Sequence, residues 1–167
     1  MKTYPFVRGL LLAILCLCLP LFVSNAGDVL AQKQSASDVD NLREMLKDKD
    51  PNIRRNAAQA LGNMGPGAKA AVPALTETLK DKDGSVRGFA AQALGNMGPE
   101  AKAAVPALTE TLKDKDDFVC QCAAYALGNI GPEAKAAVPA LTEATQSKNY
   151  FVRQSAVAAL GKISGTH

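Results

Sequence analysis

The stretch Leu61-Gly62-Asn63-Met64-Gly65-Pro66 returns as Leu94-Gly95-Asn96-Met97-Gly98-Pro99 and again as Leu127-Gly128-Asn129-Ile130-Gly131-Pro132, with an echo at Leu160-Gly161-Lys162-Ile163. The period is 33 residues, and segments 66–83 and 99–116 differ only at Gly67 against Glu100. Self-similarity at this period describes stacked supersecondary units, each unable to bury its apolar face alone.

Inside one unit, Val105, Leu108 and Leu112 fall at i, i+3 and i+7 with Ala101 and Ala104 on the same side, which is the pattern of an amphipathic helix, here helix A. After the turn Lys113-Asp114-Lys115-Asp116, the residues Val119, Ala123, Ala126, Leu127 and Ile130 mark the core stripe of a second helix, helix B. Asp50, Asp83, Asp116 and Asn149 share one column just before helix B, where a short side-chain oxygen accepts the free N–H groups of the first turn. Gly62, Gly95, Gly128 and Gly161 read as the left-handed residues that end helix B. Pro73, Pro106 and Pro139 lie inside helix A, so a short helical lead-in kinked at the Val-Pro step is expected before each. The fold class is therefore all-α, an α-solenoid of four two-helix repeats (eight helices) at about 38–65, 66–98, 99–131 and 132–164. Leu61, Leu94, Leu127 and Leu160 are expected among its most buried residues.

Residues 1–31 read as a secretory signal. Lys2 and Arg8 form a basic start, Gly9 to Val23 is an uncharged and mostly apolar run, and two small-x-small sites follow, ending at Ala26 and Ala31. A spanning helix needs about 20 apolar residues, so the run is short for an anchor, and membrane contact is expected only through this segment if it stays uncleaved. A polar linker then reaches residue 37. The expected location is outside the cytoplasm: periplasm, lumen or extracellular space.

Lys2 and Arg8 are two of the 19 basic residues, so cleavage after Ala26 leaves 17 basic against 16 acidic residues. Lys and Asp alternate within single turns, as in Lys47-Asp48-Lys49-Asp50. Neither feature supplies the concentrated positive surface that nucleic-acid binding requires. Of the cysteines, Cys120 and Cys122 remain after cleavage; two positions apart on a helix they diverge by about 200° and cannot bridge each other. Free thiols or an intermolecular disulfide are the open readings.

Three elements carry a family resemblance: Val72-Pro73-Ala74-Leu75 and its copies in helix A, Asp81 followed by Val86-Arg87, and Ala90-Ala91-Gln92-Ala93-Leu94-Gly95 in helix B. Over 38–164 the units resemble bacterial HEAT-like repeats of the kind associated with phycobilin lyases. The resemblance implies polar rungs between neighbouring units, with Asp48 beside Arg54 and Asp81 beside Arg87, whereas Asp114 meets Cys120 and Ser147 meets Arg153. That pattern implies either irregular stacking in the last two units or an Asp114–Arg153 pair.

The family hosts lyases, a metal-dependent hydroxylase and plain scaffolds. Hydroxylase chemistry needs several His-Glu pairs, and the single histidine is His167. No catalytic, cofactor-binding or metal-binding residue is assigned, and no cofactor is expected. The internal evidence favours a binding scaffold. The outward columns of helix B run Asn52/Ser85/Phe118/Phe151, Arg55/Gly88/Gln121/Gln154 and Gln59/Gln92/Tyr125/Ala158, turning aromatic in the last two units. Phe118, Tyr125 and Phe151, with Gln121 and Tyr150, form the candidate site for another protein or peptide. A phycobilin-lyase-like assembly factor and self-association through the last helix are the competing readings. The signal reading makes a direct prediction: mass spectrometry of the exported protein should find its N-terminus at Gly27 or Gln32, and recovery of intact Met1 would support the anchor instead.

Overall fold

Each helix-B start is set by a side chain that closes the turn before it. In the computed structural model, which describes residues 37–165, Asp50, Asp83, Asp116 and Asn149 accept N–H groups of Asn52, Val86, Phe118 and Phe151 at 2.8–3.1 Å. From these caps run α2 (Pro51–Met64), α4 (Gly84–Asn96), α6 (Asp117–Ile130) and α8 (Tyr150–Ser164). The A helices are α1 (37–45), α3 (Val72–Thr78), α5 (Val105–Thr111) and α7 (Val138–Ala144). A 3-10 lead-in precedes each of the last three, at Gly65–Ala71, Gly98–Ala104 and Gly131–Ala137, as the Val-Pro steps require. The segment read as an export signal and the terminal His167 lie outside the described residues. Among the described residues no strand occurs, and no helix is long and apolar enough to cross a membrane.

The helices form two layers. The B helices pack on one another in the order α2, α4, α6, α8, and α3, α5 and α7 each pack on the B helix that follows them. Leu61, Leu94 and Leu127, with Leu75, Leu108 and Leu141, are fully buried between the layers. Leu160 departs from the expectation: it is half-buried, because no further B helix covers α8 among the described residues.

The helix-B glycines also do a different job from the one their sequence position suggests. Gly62, Gly95 and Gly128 lie within α2, α4 and α6; the positive-φ residues are Gly65, Gly98, Gly131 and Gly165. A β-carbon on Gly62, Gly95 or Gly128 would come within 3.0, 2.8 or 2.9 Å of the Cα of Ala93, Ala126 or Ala159 in the next repeat. These glycines let successive B helices touch backbone to backbone.

The polar rungs are likewise displaced by one unit from the pairing implied by the resemblance. Arg54 donates from Nε and Nη2 to both oxygens of Asp81 at 2.6 and 2.8 Å, and from Nη1 to the carbonyls of Asp48 and Lys49. Arg87 repeats this with Asp114 at 2.7 and 2.8 Å and with the carbonyls of Asp81 and Lys82. Each arginine thus stitches its own turn and clamps the next repeat; Asp114 is held by Arg87, not by Arg153. Both pairs are nearly buried, with side chains 7–13% exposed. Burial pushes the Asp81 and Asp114 carboxyls up, but the facing guanidinium and the amides of Asp83 and Asp116 outweigh it, so both lie below the ordinary carboxylate value.

Two outcomes follow. Leu94→Ala should lower unfolding free energy by about 2–5 kcal/mol in urea titrations, and Leu160→Ala by less, since that side chain is already partly open to water. Because the folded pKa of each rung aspartate is depressed, its contribution is present above the unfolded value of about 3.9 and is lost as pH falls through the folded value. Thermal melts should therefore drop steeply below about pH 4, and Asp114→Asn should cost about 3 kcal/mol at pH 7 while flattening that acid limb.

Candidate functional site

Four side chains of α6, Phe118, Gln121, Cys122 and Tyr125, recur at i, i+3, i+4 and i+7 and so share one helix face. With Gln92 of α4 and Ser155 of α8 they line a cleft of about 210 Å³. The cleft spans three repeats because both rings lean on neighbours. Phe118 lies over Gly88, where a β-carbon would come 2.2 Å from a ring carbon, and tilts against Phe89 at a centroid distance of 6.1 Å. The Tyr125 hydroxyl reaches Asn96 Oδ1 at 3.3 Å, and Lys162 Nζ stands 5.9 Å from the ring centroid while donating to Asn129 Oδ1 at 2.7 Å. A lysine over a tyrosine face is an attractive contact. Even so, Phe118 is 40% and Tyr125 42% exposed: each ring is anchored along one edge and open on the other.

The structure brings Phe118, Gln121 and Tyr125 together and leaves Phe151 and Tyr150 outside the cleft wall. Those two rings pack edge to face on each other at 5.6 Å, with the Arg153 guanidinium 5.8 Å from the Tyr150 centroid. Phe151 is 61% exposed. Its repeat equivalent Phe118 settles over Gly88, but the column occupied by Gly88 holds Gln121 in the third repeat, so no gap receives Phe151. Gln92, Cys122 and Ser155 join the site although the sequence assigned none of them to it. Gln92 was visible as the repeat equivalent of Tyr125, and Ser155 as that of Cys122.

The chemistry of the cleft is that of a contact surface. Its walls are aromatic, amide, hydroxyl and thiol groups. The Cys122 thiol is pushed up to about 11 by burial and by the nearby Asp116 carboxylate, and so stays protonated near neutral pH. Cys120, also free and buried, has its thiol pushed up by burial and by Asp114, and it donates to the Asp114 carbonyl at 3.1 Å. No group of His, Cys, Asp and Glu among the described residues is arranged to hold a metal ion.

A larger cavity, about 430 Å³, opens between the third and fourth repeats, lined in part by Leu112, Asp114, Cys120, Glu143, Ser147 and Val152. It lies where the next polar rung belongs: Cys120 stands in the arginine column and Ser147 in the aspartate column. The two substitutions fall at the same junction, so one whole rung is missing rather than two half-rungs.

The family model for HEAT repeats matches residues 20–87 and 72–161. No curated protein matches. Among solved structures, an engineered protein is 27% identical with a TM-score of 0.65, covering 76% of this chain and 62% of its own. A designed armadillo repeat protein in complex with the peptide (KR)4 is 22% identical with a TM-score of 0.64, covering 73% of this chain and 62% of its own. The complex of CpcE and CpcF of phycocyanin lyase from Nostoc sp. PCC7120 is 21% identical with a TM-score of 0.61, covering 79% of this chain and 81% of the other. The chain spans less than two thirds of the length of the first two, and the last two likenesses speak to fold alone. With the repeat model matched across most of its length, this chain belongs to the HEAT-repeat family.

Proposed function

We propose that the chain is a non-catalytic, extracytoplasmic scaffold of four two-helix repeats that binds another protein or peptide on its helix-B face. Phe118, Gln121 and Tyr125 form the centre of that site, and Phe151 and Tyr150 its rim. The observation that carries this reading is the cleft of the third repeat, where two rings held along one edge present the other to solvent. Large rings with few rotamers gain much from burial at little entropic cost, which is why such residues dominate binding hot spots. The neutral walls suit an extended chain whose backbone groups meet Gln92, Gln121 and Ser155. The designed armadillo protein carries a peptide on a similar fold. A bilin-handling role has only the fold of the phycocyanin lyase complex behind it. The proposed location outside the cytoplasm rests on Lys2, Arg8 and the apolar run that follows them.

The test is a pull-down from an extracytoplasmic extract, followed by titration of the recovered partner against variants. Phe118→Ala and Tyr125→Ala should each weaken binding by about 2 kcal/mol, roughly thirtyfold, whereas Arg55→Ala and Gln59→Ala, on the small and polar first repeat, should change it less than about twofold. Equal losses at both ends, in variants that melt like the parent, would remove the site from the third repeat.

A further inference from the structure

The rung arginines act in two halves, and among the described residues the first and last repeats each hold half a rung already set. Arg153, the counterpart of Arg54 and Arg87, makes the inner half in full: its Nη1 donates to the carbonyls of Ser147 and Lys148, both at 2.8 Å. Its Nε and Nη2, which in Arg54 and Arg87 grip the carboxylate of the next repeat, meet no carboxylate among the described residues. Asp48 is the complement. The N–H of Asp50 donates to its Oδ1 at 2.8 Å, as those of Asp83 and Asp116 donate to Asp81 and Asp114 at 2.9 Å. No guanidinium is bonded to the Asp48 carboxylate among the described residues. Arg153 and Asp48 therefore make the same local bonds as their counterparts in the closed rungs, at opposite ends of the described array, with the Arg153 guanidinium resting beside the exposed Tyr150 ring.

The apolar columns point the same way. Ala93, Ala126 and Ala159 are buried at the three inner junctions, while Ala60, their counterpart on the first repeat, is half-buried. Leu160 is half-buried where Leu61, Leu94 and Leu127 are fully covered. Continuing the repeat register would set Gly161 against Ala60, the same small-on-small approach that the inner junctions use.

We propose that a second copy of this chain stacks head to tail on the first, with Arg153 of one copy closing a bidentate rung on Asp48 of the next. The aromatic cleft lies outside this contact. Because the contact joins two different faces, it leaves a free face at each end, so association continues beyond a dimer.

Sedimentation velocity on the full chain tests this. The weight-average mass should rise with concentration past that of a dimer. Asp48→Arg and Arg153→Asp should each weaken association at least tenfold, since each sets like charges opposite one another. An equimolar mixture of the two variants should restore association, because opposite charges again meet at every junction. If Arg153→Asp lowers the melting temperature, Arg153→Gln replaces it for the single-variant comparison, and Asp48→Arg carries the charge reversal. A monomer at all concentrations, association that ignores both charge reversals, as contact through the N-terminal apolar run would, or a mixture that stays apart would each overturn the proposal.

Discussion

The backbone contact between successive B helices is the constraint on which the rest of this structure depends. Gly62, Gly95 and Gly128 bring the next helix to within a β-carbon's width at Ala93, Ala126 and Ala159. At that spacing nothing larger than alanine fits the contact, which explains why the core is rich in alanine and why the larger side chains Leu75, Leu108 and Leu141 sit between the layers instead. Small-residue contacts bury little apolar area each, so stability depends on many being made in register.

Register is what the rungs add. A nearly buried ion pair gains little over an apolar pair of the same shape, but breaking one partner is expensive. Any slip of one repeat along the next would strand Arg54 or Arg87 without its carboxylate, and the carbonyls that fix Nη1 leave the fork one direction to point. Between the third and fourth repeats the rung is absent and a cavity takes its place. That junction is held at its rim by Asn149 Nδ2 donating to Asp117 Oδ2 at 2.9 Å and by Lys162 donating to Asn129. Such exposed bonds are worth less than a desolvated bidentate pair.

The fold was legible because its signals are local and repeated: a cap aspartate, a Val-Pro step and an apolar stripe every 33 residues. What sequence could not assign was which repeat each residue serves. The family resemblance sets Arg54 beside Asp48, six positions back, yet its fork reaches Asp81, 27 positions on. Gly62 looked like a helix end because a helix does end three residues later, at the positive-φ Gly65; its reason for being glycine lies in the next repeat. Leu160 shares its column with three buried leucines, but burial belongs to the stack and not to the column. The same holds at the candidate site. Phe118, Gln121 and Tyr125 could be seen as outward positions of one helix, while Gln92 and Ser155 complete the wall from the repeats on either side.

The cleft is accordingly a property of junctions, and this accounts for its place in the third repeat rather than the fourth. A ring on the outward column needs a gap in the preceding repeat to lean on; Gly88 provides it for Phe118, and Gln121 denies it to Phe151. A ring fixed along one edge loses less freedom on binding than one free to swing. Of the two equivalent phenylalanines, the less exposed one is therefore better prepared to receive a partner, and it is the one that shares its helix face with Tyr125.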